Sequence, residues 1–163
     1  MASPLGIRGG REGISSSPWD KGRLGGVTRD FMLKLPKHIY DDLIAHAREG
    51  FPLEVCGLLG GREGMVAAAH RLTNLDASNE HFSMDPREQF AAVKAMRAAD
   101  QEMLAVYHSH PETPARPSEE DIRLALTPGV SHVIVSLADA QSPDLRSFKI
   151  EKGLVTAEEV EII

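Results

Sequence analysis

Met103-Leu104-Ala105-Val106-Tyr107-His108-Ser109-His110-Pro111-Glu112-Thr113-Pro114-Ala115-Arg116-Pro117-Ser118-Glu119-Glu120-Asp121 passes from an apolar run through a proline-rich loop into an acidic helix start. Residues 103–107 have the length and composition of a buried strand. His108 and His110 follow at its end, two apart. Strand alternation puts both imidazoles on one face, as chelation of a single ion requires. Imidazole is the commonest zinc ligand, and two imidazoles with one carboxylate leave a fourth position open for water. Pro111, Pro114 and Pro117 stiffen the return of the chain to Asp121 and lower the entropy of closing a site. Each half also has a plainer reading. A His-x-His pair can be a surface pair, and Ser118 to Asp121 can be a simple helix N-terminus: Ser118 caps, Asp121 takes the capping-box position, and acids crowd the positive end of the helix dipole. The two uses are compatible, because a hydroxyl that accepts a backbone N–H can donate its own proton elsewhere.

Working outward, strands and helices alternate. Residues 31–35 read as a short strand, and Pro36 suits the first turn of a helix. Ile39, Leu43 and Ala47, with Tyr40 and Ile44, form its apolar stripe as far as about Arg48, and Gly50 stops it. His38 and His46 fall on its solvent side. Glu54-Val55-Cys56-Gly57-Leu58-Leu59 is strand-like, and Gly60-Gly61-Arg62-Glu63-Gly64 turns it back into a second run over 65–72, which predicts a hairpin. No Gly-Lys-Ser/Thr follows those glycines, so they are not a phosphate loop. Asp85, Pro86 and Glu88 mark a helix start by N-cap, first-turn proline and capping-box spacing. Phe90, Val93 and Met96, with several alanines, give this helix a packing face to near Asp100. Residues 118–126 read as a further helix, and 131–137, 145–150 and 154–163 as strands. The alternation predicts an α/β or α+β domain, a mixed β-sheet packed by helices.

A chain of 163 residues, 42% hydrophobic, can fill one real core. Its net charge of −6 argues against general affinity for nucleic-acid phosphates. No apolar run reaches the ~18 residues of a membrane span, and residues 1–15 lack a secretory apolar region. These features predict a cytoplasmic protein with no nucleic-acid or membrane partner. The single cysteine, Cys56, excludes a disulfide framework and any all-cysteine zinc site. Seven of the 14 glycines lie in residues 1–30, together with Ser15, Ser16 and Ser17. That stretch has five basic and three acidic residues, which leaves a net −8 on the remainder. Such composition cannot offset chain entropy by burial, so residues 1–30 are expected to form a disordered Gly/Ser-rich tail and residues 31–163 the folded domain. Met32, at the first periodic segment, is a candidate natural start.

Taken with Glu54 upstream, the order His108-x-His110, seven residues, Ser118-x-x-Asp121 resembles the JAMM/MPN-plus zinc metallopeptidases. Glu54-Val55-Cys56-Gly57-Leu58-Leu59-Gly60 is similar to that family's first catalytic strand, and the likeness runs from about residue 32 to the C-terminus. It implies a cytidine-deaminase-like JAMM/MPN fold with one catalytic Zn2+ on His108, His110 and Asp121. It further implies that Glu54 accepts and returns the proton of the attacking water, and that Ser118 donates to the tetrahedral oxyanion. The chain is similar to the compact, single-domain prokaryotic branch. The implied partner is therefore a ubiquitin-like sulfur-carrier protein with a Gly-Gly tail, cut at a peptide or isopeptide bond after that tail. Ser109 and Phe82 are the implied substrate contacts, with Asn79 and Glu80 beside Phe82.

Cys56 shares the alternation face of Glu54, and is either a redox or near-metal residue or a small core residue. His38, His46, His70, His81 and His132 have no ligand spacing to one another. A RadC-like protein linked to DNA repair has a similarly spaced histidine-pair loop, and a non-catalytic MPN scaffold that binds partner proteins shares the fold. The complete ligand set with Glu54, and the acidic balance, favour the peptidase. A homodimer is left open.

Overall fold

Residues 32–163 are described by a computed structural model, so the tail expected over 1–30, and Phe31 of the first expected strand, lie outside the described residues. The elements run β1 (Met32–Leu35), α1 (Lys37–Gly50), β2 (Cys56–Arg62), β3 (Met65–Leu72), α2 (Pro86–Ala98), β4 (Glu102–His110), α3 (Glu119–Arg123), β5 (Ser131–Ser136), β6 (Asp144–Glu151) and β7 (Leu154–Ile162). The sheet is mixed, as the alternation predicts, and it closes on itself in the order β1-β3-β2-β4-β5-β6-β7. Closure comes from β1, which lies parallel to both β3 and β7. Among the described residues no helix is long and apolar enough to cross a membrane.

The β2–β3 hairpin turns on Glu63 and Gly64, both at positive φ (50° and 76°), the backbone twist that a two-residue hairpin favours. β4 lies between antiparallel β2 and parallel β5. Period-two alternation then divides its side chains. Ala105 and Tyr107 join Leu59, Val133 and Val135 in a core covered by Ile39, Leu43 and Ala47 of α1. On the other face, Cys56 and Leu58 meet Ala92 and Met96 of α2, while Ile134, Phe148 and Ile150 pack with Ala115 and the half-buried Ile122 of α3. His108 and His110 therefore emerge on the face that α2 and α3 flank.

Four local expectations are corrected. The strand begins at Cys56 rather than Glu54, because the Val55 N–H bonds the Ser109 hydroxyl instead of a ladder carbonyl. α3 ends at Arg123 rather than near Leu126, because the Ala125 and Leu126 N–H groups bond the Ile122 and Leu124 carbonyls instead of those four residues back. Asp85 does cap α2 by accepting the Arg87 N–H. Glu88, however, does not complete a capping box; its carboxylate accepts the Thr73 N–H and hydroxyl at 2.6 and 2.8 Å and ties α2 to the end of β3. Phe90 is 66% exposed, since the buried face of α2 runs through Ala92 and Met96; the Lys94 ammonium lies over its ring.

Candidate metal centre and active site

β4 delivers His108 and His110 to the sheet's end, and the loop of three prolines returns the chain so that α3 starts beside them. The Nε2 atoms of the two imidazoles are 3.1 Å apart, and each is 3.2 Å from Asp121 Oδ2. Among the described residues, these three form the one group of histidine, cysteine or acidic side chains able to hold a metal ion. His110 Nδ1 lies 2.9 Å from the Pro114 carbonyl. Because a carbonyl only accepts, Nδ1 carries the proton and Nε2 presents its lone pair to the centre. The helix start holds the third group. Asp121 Oδ2 accepts the Ser118 N–H at 2.9 Å, and Ser118 Oγ accepts the Asp121 N–H at 3.0 Å, a complete capping box.

Electrostatics follow from burial and convergence. Burial works against the Asp121 carboxylate, but its close contacts with the His108 and His110 imidazoles outweigh it and hold the carboxyl far below its usual range. Burial lowers His108, whereas in His110 the Asp121 carboxylate and the Pro114 carbonyl overcome burial and raise it. Glu54 is 6% exposed. Burial, reinforced by Asp121 and Glu120 and opposed by His110 and His81, pushes its carboxyl up to about 8.

A cleft of about 340 Å³ opens beside this group, with His108, Asp121, Phe82, Met84, Val106 and Leu126 in its wall. Phe82 stacks on His108 with ring centroids 4.5 Å apart. Glu80 also lines this cleft, while Asn79 does not.

Other expected residues lie elsewhere. Ser109 is 1% exposed and faces away from the cleft, on the side opposite its two histidine neighbours; its hydroxyl bonds Val55, so it is not placed to touch substrate. Cys56 pairs in register with His108 but is buried among Leu58, Leu72, Ala92 and Met96. Burial pushes its thiol up to about 12, so it is a core residue rather than a reactive thiolate. His46 is half-buried instead of facing solvent, and its Nδ1 is hydrogen-bonded with the Tyr107 hydroxyl at 2.7 Å.

Three participants escaped sequence reading: Asn74, His81 and His132. Asn74 bonds the Glu54 carbonyl, His81 bonds Glu120 beside Asp121, and His132 lies in the cleft wall. A Thr-Asn pair at the end of a strand signals a side chain bonding the next turn's backbone. Nothing local tells which distant residue it also holds.

The description "Prokaryotic homologs of the JAB domain" matches residues 36–151. The chain is 36% identical over 135 residues to a CysO-cysteine peptidase of Mycobacterium tuberculosis, covering 82% of this chain and 92% of that protein. It is 36% identical over 111 residues to a desampylase of Haloferax volcanii, covering 64% of this chain and 80% of the relative. The solution structure of a protein from Desulfitobacterium hafniense matches at 51% identity and a TM-score of 0.75, covering 81% and 93% of the two chains. A structure described as "JAMM: A Metalloprotease-like Zinc Site in the Proteasome and Signalosome" matches in fold alone, at 21% identity and a TM-score of 0.52 over 81% of this chain and 98% of that one.

Proposed function

The chain belongs to the prokaryotic homologs of the JAB domain, within the JAMM/MPN family, and from that membership we propose a zinc-dependent peptidase that cuts after the C-terminal Gly-Gly of a ubiquitin-like sulfur-carrier protein. The observation that carries this reading is the convergence of His108 Nε2, His110 Nε2 and Asp121 Oδ2 beside the buried Glu54. The donor set fits zinc. Bonds of about 2.0–2.1 Å at tetrahedral angles hold ligand atoms roughly 3.3 Å apart, and the three donors here are separated by 3.1 to 3.2 Å. The relatives' activities, on a CysO-cysteine bond and in desampylation, point to the conjugate of a small protein as substrate.

When bound at these three residues, zinc supplies a Lewis acid and a water acidified toward neutral pH. The remaining chemistry belongs to the chain. Glu54 takes the proton of the attacking water and delivers it to the leaving amine, a role worth about 10²–10⁴ in rate. Ser118 Oγ accepts the Asp121 N–H with one lone pair, which leaves its own hydrogen for the developing oxyanion. The cleft walls, with Phe82 packed flat on His108, leave a passage suited to a thin glycine tail.

The test is mass spectrometry of ubiquitin-like carriers bearing one cysteine, or a lysine-linked amine, beyond Gly-Gly. The expected result is a mass loss equal to the extension, abolished by a zinc chelator and restored by zinc. Intact extensions after incubation with zinc-loaded protein would overturn the substrate class.

A further inference from the structure

Glu54 occupies irregular backbone between α1 and β2, where no strand ladder holds it. Bonds from outside its own segment fix it. The Glu54 N–H donates to the Ser78 carbonyl at 2.8 Å, and its carbonyl accepts from Asn74 Nδ2 at 3.0 Å. The next residue is gripped twice by Ser109: the Val55 N–H donates to Ser109 Oγ at 2.8 Å, and the Ser109 N–H donates to the Val55 carbonyl at 3.0 Å. Ser109 lies between the two metal-ligating histidines, so one strand carries both the ligands and the clasp on the glutamate.

The Asn74 amide uses its full bonding capacity. Its second Nδ2 hydrogen goes to the His81 carbonyl at 3.0 Å, and Oδ1 accepts the N–H groups of Asp76 and Ser83, each at 3.0 Å. The loop over 75–84 that this amide organises lays Phe82 on His108 and brings His81 to Glu120. One side chain thereby joins the backbone of Glu54 to a wall of the cleft.

We propose that Asn74 and Ser109 are positioning residues that set Glu54 against the metal-ligating side chains from two sides, Asn74 also tying Glu54 to the loop that walls the cleft. The inference rests on Glu54 being the proton acceptor. Two substitutions separate the bonds cleanly. Asn74→Asp keeps an oxygen for the Asp76 and Ser83 N–H groups but loses both donors, and so replaces the ties to the Glu54 and His81 carbonyls with repulsion between oxygens. Ser109→Ala removes the acceptor of the buried Val55 N–H and leaves Asn74 untouched.

Steady-state cleavage of a ubiquitin-like carrier with one cysteine after Gly-Gly is measured for both variants, alone and combined with Glu54→Gln. Zinc content and amide hydrogen exchange at Glu54 and Val55 are measured alongside. Misplacing a reacting group by a fraction of an ångström to one ångström should lower kcat about 10- to 100-fold, with KM and zinc per chain little changed and exchange at the two amides accelerated. In the Glu54→Gln background neither variant should lower the residual rate further, because both act through Glu54. An unchanged kcat in both variants, zinc loss in proportion to lost activity, or an equal further loss in the Glu54→Gln background would each overturn the proposal. If Asn74→Asp does not fold, Ser109→Ala carries the same test from the opposite side. A fully active Glu54→Gln overturns the underlying mechanism instead, and a dead Glu54→Gln with two unaffected positioning variants overturns this inference alone.

Discussion

Ser118 Oγ accepts the Asp121 N–H at 3.0 Å, while Asp121 Oδ2 accepts the Ser118 N–H and faces both imidazoles. The same four residues that start a helix therefore also aim the Asp121 carboxylate at the two imidazoles, and the two uses differ in magnitude. Removing a serine N-cap costs about 1 kcal/mol, whereas removing an oxyanion donor costs about 10²–10³ in kcat. Ser118→Ala is expected to lower the denaturant midpoint slightly, to keep its zinc, and to lose most of its turnover. Retained turnover would leave Ser118 as a cap only. The spacing of this group was legible in the sequence because cap and ligand lie within one helical turn. Ser109, expected as a substrate contact, is buried. The parity that pairs His108 with His110 on one face also turns Ser109 to the other, where it holds Val55.

β2 carries Gly60 and Gly61 where the sheet shifts register, between Gly60 and Gly61 against β3 and between Leu59 and Gly60 against β4. A Cβ on Gly61 would lie 2.0 Å from the Met65 carbonyl oxygen, which is backbone and cannot move aside. On Gly60 it would meet the Gln101 Oε1 and Met96 Cγ atoms at 2.8 and 2.9 Å, both on flexible side chains. Overpacking of this kind costs typically ~1–3 kcal/mol, so Gly61→Ala should fall at or beyond the top of that range and Gly60→Ala near the bottom. Denaturant unfolding of both at constant m-value checks the order; equal losses would mean that the bulge tolerates a side chain. The hairpin itself was readable from its turn residues, and its bulge was not. A register shift depends on what both neighbouring strands present, and a linear pattern of glycines does not contain that. Glu88 teaches the same lesson: its capping-box spacing was visible, but the Thr73 groups it binds belong to another element.

Across the whole molecule, α1 is fastened to the sheet by the His46–Tyr107 hydrogen bond, beneath Arg71 and its partners Asp42 and Glu49. Burial, aided by Arg71, lowers His46 from 6.5 to about 4. The folded protein thus binds fewer protons at this site than the unfolded chain, and stability rises with pH over that interval. The His46 contribution is fully present above about 6.5 and is lost progressively as pH falls toward 4. His46→Asn should therefore lose less thermal stability than the wild type between pH 7 and pH 5, a window set by the histidine's unfolded and folded titration. Parallel losses in the two proteins would show that His46 does not titrate with folding. The sequence placed His46 on a solvent face because a helical wheel has no knowledge of what lies opposite. What the sequence by itself determined was local: the alternation of strands and helices, the two histidines on one face, and the capped start of α3. Only the tertiary structure decided that β1 closes the sheet between β3 and β7, that Cys56 belongs to the core, and that Asn74 and Ser109 hold Glu54. Those facts depend on contacts between residues far apart in the chain, where packing and hydrogen-bond satisfaction select the partner.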